Sequence, residues 1–238
     1  MQRYFVSLDD KGDFLFSRQD IFHIQKVMRM HVNDHIEVVA NNQVYLVNID
    51  SIAPLSVSIL DTLPSKSKLA KEVSVLVPIL KGDKVDLIIQ KATELGADNI
   101  IFYRSRRSMV KLSQEEFNKK LDRYKLIAKE ASEQSRRNTI PNIEGIADIK
   151  YLDNYKKRVN IFAYEDVKGS TLSFKDEIKN KESTLVVVGP EGGFDCEEVN
   201  VLLKQHFSPV SFGNRILRVE TAVIYALSVI SYTLEQKQ

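Results

Sequence analysis

The stretch LVVVGPEGGFDCEEV, residues 185–199, decides the fold. A β-branched run, Val186 to Val188, ends in a Gly-Pro-Glu-Gly-Gly turn, and that turn opens an amphipathic segment. Strand, glycine turn and helix in this order place a crevice at the carboxyl end of a strand, where open α/β sheets bind their ligands. Asp195 is the expected helix cap, and Glu198 three residues later completes a capping box ahead of Val199, Leu202 and Leu203. The turn has no lysine and matches neither GxxxxGK[ST] nor GxGxxG. Glu191 at its centre would repel a phosphate, so a nucleoside triphosphate is not the expected guest.

Strands and helices alternate on either side of this stretch. VSVLVPI (73–79), NIIFY (99–103), VNIFAY (159–164), TLVVV (184–188) and PVSF (209–212) read as strands. Between the first two lies a helix carrying Val85, Ile88, Ile89, Ala92 and Leu95, closed by Gly96 as a left-handed cap. A long helix then sets Phe117, Leu121, Tyr124, Ala128 and Ala131 on one stripe, with Lys119, Lys120, Arg123 and Lys129 largely outside it. The pattern predicts an α/β domain with a mainly parallel sheet covered on both faces. The last segment, ETAVIYALSVISYTL, is apolar almost all round, so either the domain wraps it or a second subunit covers it.

The first sixty-odd residues differ, reading as short strands: RYFV, FLFS, IEVVANNQVYLVNID with a hairpin turn at Asn41 and Asn42, and LSVSIL. One helix from Asp20 to Met30 interrupts them, with Ile21, Ile24, Val27 and Met28 on one side. LPSKSKLAKE, residues 63–72, breaks the apolar pattern and is the expected linker.

Composition narrows the function classes. The chain has 238 residues, of which 43% are hydrophobic, enough for one or two domains. No apolar run reaches the roughly 18–20 residues of a membrane span, and MQRYFVSLDDKG lacks a signal-peptide core, so a soluble cytoplasmic protein is expected. Cys196 is the single cysteine, which excludes an intrachain disulfide; it reads as an ordinary helical residue, although a helix start can lower a thiol pKa. His31 and His35 bracket a turn at Asn33 and Asp34, and no metal site is expected. From Arg104 to Arg137 there are eleven Lys or Arg against five Asp or Glu, a local balance of +6 that suits a polyanion or a solvated helix face.

A carboxylate inside a close-approach glycine turn suits ribose hydroxyls or a cationic ligand, and S-adenosylmethionine offers both. The same turn also occurs as a plain tight connection. A second glycine-bearing loop, GNRILRVETA at 213–222, follows another strand and sets Arg215, Arg218, Glu220 and Thr221 just before the apolar helix. Two such loops at strand carboxyl ends could form the walls of one pocket. Arg218 and Glu220 could equally form a salt bridge at a helix start.

GPEGGF (189–194) with GNRILRVETA resembles the SPOUT methyltransferases, specifically the 16S ribosomal RNA uridine N3 methyltransferases. The resemblance also covers RYFV (3–6), HIQKVMRM (23–30), KGDKVDLIIQKATELGA (81–97), SRRSMVK (105–111) and EASEQSRRNTIP (130–141). It implies a small PUA-like β-barrel at residues 1–70 that helps hold RNA. It implies a carboxyl-terminal α/β domain at residues 71–238, tied in a deep trefoil knot and paired as a homodimer through that region. The S-adenosylmethionine pocket it implies uses Ala163, Tyr164 and Glu165, then Gly189, Pro190, Glu191, Gly192 and Gly193, then Gly213, Asn214, Ile216, Leu217, Arg218 and Thr221. The expected RNA contacts are Arg3, Lys26, Arg29, Lys84, Lys91, Arg106, Arg107, Arg136 and Arg137; as an alternative, Lys84 and Lys91 are helix-surface charges, with Lys91 and Glu94 a spaced pair. Two residues depart from the family's pattern: Arg106 stands where glutamate is expected, and Arg136 where glycine is.

The acceptor uridine N3 carries a proton and is a poor nucleophile, so negative charge developing on its flanking carbonyl oxygens needs stabilising. Arg218 is the expected stabiliser, with Arg137 as helper and Glu220 as candidate base. Rival readings are ribose 2′-O-methylation in the same superfamily, an RNA-binding module without catalysis and, weakest, a nucleoside triphosphate enzyme.

Overall fold

The structure is a computed structural model that describes residues 1–64, 67–110, 112–164 and 173–236. It divides into two compact units, one of Met1–Lys68 with Lys129–Ile140, the other of Leu69–Ala128 with Pro141–Gln238. The stretch 129–140, expected with the carboxyl-terminal domain, thus groups with the amino-terminal residues.

In the first unit a four-stranded sheet has the order β1 (Arg3–Phe5), β4 (His35–Ala40), β5 (Gln43–Ile52), β6 (Leu55–Leu63). The β1 and β4 strands run parallel, and the remaining pairs are antiparallel. Asn41 and Asn42 turn β4 into β5 with φ of 49° and 63°, the left-handed pair that a two-residue hairpin needs. A small ladder, β2 (Ser7–Leu8) with β3 (Phe14–Leu15), precedes the helix. Tyr4, Ile24, Ile36, Val38, Val47 and Ile49 form the core of this unit.

The helix itself departs from expectation. Ser17 and Asp20 form a capping box for α1 (Arg18–Phe22), so the helix begins ahead of the anticipated Asp20, and the chain then continues as a π-helix over His23–Val27. The wider π turn changes the phase of the apolar stripe. Ile24 stays buried, whereas Val27 and Met28 turn outward and are exposed.

The second unit is built on six parallel strands in the order β12 (Ser208–Val210), β10 (Val159–Ala163), β11 (Thr184–Val187), β7 (Val73–Pro78), β8 (Asn99–Tyr103), β9 (Asn142–Ala147). Every residue of β7 and β11 is buried, as strands covered on both faces require. Alternate side chains go to opposite faces. Val75, Val77, Ile100, Phe102 and Val186 pack with residues of α2 (Lys84–Glu94), α3 (Gln114–Gln134) and α6 (Val219–Glu235). Leu76, Ile101, Tyr103, Phe162 and Val187 pack on the other face with Val199 and Leu202 of α5 (Cys196–Lys204). The edge strand β9 has no counterpart among the expected strands, because NIEGIA has no continuous apolar run and only half of an alternating one. Nor does the short α4 (Phe174–Ile178) among the expected helices.

The apolar last helix is not fully wrapped by its own chain. It buries Val219, Ala222, Val223, Ala226, Leu227, Ile230 and Leu234 at helical spacing and leaves Tyr225 and Tyr232 exposed. Among the described residues no helix is long and apolar enough to cross a membrane, and no cluster of three His, Cys, Asp or Glu could hold a metal.

Candidate functional site

The glycine loop begins where β11 ends. Val188 carbonyl accepts a hydrogen bond from the Tyr103 hydroxyl at 2.9 Å, which pins the start of the loop from β8. Burial holds the Tyr103 hydroxyl well above its ordinary pKa, and Glu198 nearby adds to that, so the phenol remains a donor. Gly193 donates to Pro190 O at 2.9 Å and has φ of 69°, closing a turn that a side chain would strain. A Cβ on Gly189 would lie 3.0 Å from the Phe194 ring, and one on Gly192 would lie 3.3 Å from Arg107 Cβ. Those glycines let the backbone approach its neighbours closely.

The anticipated capping box closes the loop. Asp195 accepts from Glu197 N at 3.0 Å, and Glu198 Oε2 accepts from Asp195 N at 2.9 Å. Glu198 is 3% exposed and binds a second segment as well, accepting from Ser105 Oγ at 3.1 Å and from Arg106 N at 2.9 Å. One carboxylate therefore anchors the SRRSMVK segment to the start of α5. Arg107 follows, donating to Gly192 O at 3.2 Å and lying 3.8 Å from Asp195. Arg106 pairs with Glu197 at 2.5 Å and with Asp195 at 3.7 Å.

The second loop leaves β12 through Ser211, Phe212 and Gly213, whose φ is 102°. Arg218 is the N-cap residue of α6, its side chain exposed. The third contribution is the end of β10, where Tyr164 N donates to Val210 O at 3.0 Å.

These three strand ends enclose a cavity of about 330 Å³. Of the residues expected there, Ala163, Tyr164, Gly189, Pro190, Glu191, Gly192, Gly193, Gly213, Ile216 and Leu217 line it. Asn214, Arg218 and Thr221 flank the lining residues in sequence without joining the wall. Glu165 lies outside the described residues. Arg215 of the second loop lines the cavity as well, while Phe194, Phe212, Cys196 and Arg107 were not expected as wall residues. Phe194 ends the glycine motif and is within reach of sequence reasoning; Arg107 is not, since only the fold brings it to the loop.

Lys84, the first residue of α2, places its Nζ 3.6 Å from Glu191 Oε1 and 3.9 Å from Glu220 Oε2. Lys91 pairs with Glu94 at 2.8 Å, the spaced pair that the sequence offered as its alternative. Within the basic stretch, Arg123 pairs with Asp86 and Lys119 with Glu115, which reduces the charge available to a partner.

In the first unit, Lys26 and Arg29 are exposed. Arg3 is not: its side chain is 9% exposed, pairs with Glu37 at 2.7 Å and donates to the carbonyls of Arg136 and Arg137. Arg136 is exposed and has φ of 56°, in the left-handed region that glycine adopts without strain. Arg137 is 4% exposed, with Nε donating to Thr139 O at 3.2 Å. The structure thus gathers the glycine-loop residues around one cavity and assigns Arg137 to the other unit.

Known proteins resemble this chain along its whole length. Residues 67–231 match the family model described as RNA methyltransferase domain. The chain is 34% identical to the Bacillus subtilis protein named Ribosomal RNA small subunit methyltransferase E, over 99% of this chain and 98% of that one. It is 32% identical to the protein of the same name from Mesomycoplasma hyopneumoniae, over 96% and 98%. Among solved structures, a Legionella pneumophila protein in complex with the bound cofactor SAM matches with a TM-score of 0.86 and 25% identity, covering 98% of this chain and 97% of that one. The S-adenosyl methionine-bound Ribosomal RNA small subunit methyltransferase E of Neisseria gonorrhoeae, 22% identical over 98% and 97%, shares the fold with a TM-score of 0.85.

Proposed function

The chain belongs to the RNA methyltransferase family, and from that premise we propose that it transfers a methyl group from S-adenosylmethionine to N3 of one uridine in 16S ribosomal RNA within the assembled 30S subunit. The observation that carries this reading is the cavity itself, which residues of two glycine-bearing loops, Glu191 among them, line together with the end of β10.

The wall chemistry fits that cofactor. Glu191 contributes a carboxylate suited to ribose hydroxyls or a cation, Tyr164, Phe194 and Phe212 contribute apolar and aromatic surface, and the loops offer backbone groups that an adenine edge can use. The volume falls at the lower end of the roughly 300–1,000 Å³ of small-ligand sites. Bound there, S-adenosylmethionine would supply an electrophilic methyl group.

The chain's own residues supply position and charge. The two glycine-bearing loops and the end of β10 would hold the cofactor, and positioning it against the acceptor base would make the transfer effectively unimolecular. Arg218, at the head of α6 and next to the wall residues Leu217 and Val219, stabilises charge developing on the uracil carbonyls without changing its own protonation state. Glu220, two residues further on, is the candidate base. Arg137, from the same or the partner subunit, is the helper, and reaching substrate would take it out of its present buried setting. The base is turned out of its stack to present its Watson-Crick edge. Arg106, Arg107, Arg136, Lys26 and Arg29 make the phosphate contacts, and the amino-terminal unit serves as a PUA-like barrel that holds RNA.

The remaining finer features belong to the same proposal: a trefoil knot around the cavity, a homodimer through the exposed face of α6 that carries Tyr225 and Tyr232, and a cytoplasmic location. Labelled S-adenosylmethionine and 30S particles lacking the modification test the reaction. Mass spectrometry of digested RNA should find one methyl on uridine N3; a methyl on a ribose 2′ oxygen would replace the acceptor. Arg218→Ala should lower the rate on 30S particles about 100-fold or more while leaving S-adenosylmethionine affinity nearly unchanged. Equal loss of both would make Arg218 a cofactor-holding residue.

A further inference from the structure

We propose that Lys84 is a positioning residue that sets the charge of the cavity wall, and so its preference for a cationic over a neutral ligand, by standing between Glu191 and Glu220. The inference rests on the S-adenosylmethionine reading and deepens it. The sequence offered Lys84 as an RNA contact or a helix-surface charge; its side chain is 40% exposed, and its place between two acids adds a role that neither reading names.

Three observations carry the proposal. Lys84 Nζ lies 3.6 Å from a wall carboxylate, Glu191, and 3.9 Å from Glu220, so it is held between two acids that are 29 residues apart in sequence. Glu220 has 15% of its side chain exposed, and its Oε2 is buried with no hydrogen-bond partner among the described residues, so the neutralising neighbour at that oxygen is Lys84. Glu191 lines the cavity, whereas neither Lys84 nor Glu220 does. Two carboxylates share one ammonium, and of the two Glu191 is the one in the cavity wall.

This arrangement has a consequence for a methyl donor. Transfer converts a sulfonium into a neutral thioether, so the wall's net charge decides how differently it holds the two. With Lys84 shared, Glu191 is partly compensated, and a cation entering the cavity competes with Lys84 for it. A buried carboxylate otherwise short of partners then retains the lysine, since an uncompensated buried charge is costly. Glu220 thereby lets Glu191 turn to the ligand. Both Lys84 and Glu191 are partly solvated, so the effect is moderate.

The test is calorimetric titration of the full-length protein with S-adenosylmethionine and with S-adenosylhomocysteine, comparing wild type, Lys84→Met and Lys84→Arg. Removing one unit of positive charge from a partly screened wall should raise the preference for the sulfonium over the thioether on the order of fivefold. Lys84→Arg should keep the wild-type ratio within about twofold, because it keeps the charge. Glu220→Gln should move the ratio the opposite way, and it serves as the second probe if Lys84→Met does not fold. A change of both affinities by the same factor, or no change of the ratio in either variant, overturns the proposal and leaves the cofactor reading standing. Wild type that binds neither ligand overturns both.

Discussion

The tripeptide Ser-Arg-Arg occurs twice, at 105–107 and at 135–137, and the two copies meet opposite fates. In the first, the backbone and serine are held by Glu198, and both arginines face acids of the α5 start. In the second, Arg3 grips the carbonyls of Arg136 and Arg137, leaving Arg136 exposed in a left-handed conformation and Arg137 buried. The comparison teaches that a local count of +6 is not a measure of free positive charge. What neutralises a cation can lie about 90 residues away in sequence, as Glu197 does from Arg106, and what presents one can be a backbone clamp.

The sharpest way to break the comparison is to remove each anchor. Glu198→Ala should cost about 3–4 kcal/mol in denaturant unfolding, because three donors lose a buried acceptor and α5 loses its capping box. A loss below about 1 kcal/mol would mean that the first copy is held by its arginines instead. Arg3→Ala should cost about 3 kcal/mol, the loss expected when one partner of a largely buried pair is taken away, and Arg3→Lys should recover only part of it. Full recovery by lysine would reduce the clamp to simple charge.

Smaller changes sharpen the difference. Arg136→Gly should stabilise the fold by up to about 1 kcal/mol, since glycine accepts a positive φ without a Cβ clash. The same variant should weaken RNA binding and reduce the slope of log affinity against log salt by about one charge. Arg106→Ala should change that slope less, because its guanidinium is already paired with Glu197 and Asp195. Equal slopes for Arg106→Ala and Arg136→Gly would erase the distinction between the two copies.

Local chemistry is legible in the sequence. The strand at 184–188, the capping box at Asp195 and Glu198, the hairpin at Asn41 and Asn42 and the left-handed Gly96 each follow from a few neighbouring residues, and each stands in the structure. The parallel sheet follows from the buried runs of β7 and β11. What stays hidden depends on residues far apart in the chain. Strand order is one case, since nothing in TLVVV says that β11 inserts between β10 and β7. Glu198 holding Ser105 is another, and so is Lys84 reaching Glu191. The π turn at His23–Val27 is a third kind of miss, because a template of 3.6 residues per turn places Val27 and Met28 on the wrong side. Arg136 is a further case, because nothing in the tripeptide Ser-Arg-Arg announces a φ of 56° at its middle residue.

The central claim is that the loops after β11 and β12 enclose a sulfonium nucleoside, in a cavity whose glycine loop carries Glu191 and no phosphate-binding lysine. Crystals soaked separately with S-adenosylhomocysteine and with ATP test it most directly. The account predicts S-adenosylhomocysteine between Gly189–Gly193 and Gly213–Leu217, with no ATP there. ATP in that cavity, with S-adenosylhomocysteine absent from it, would contradict the account.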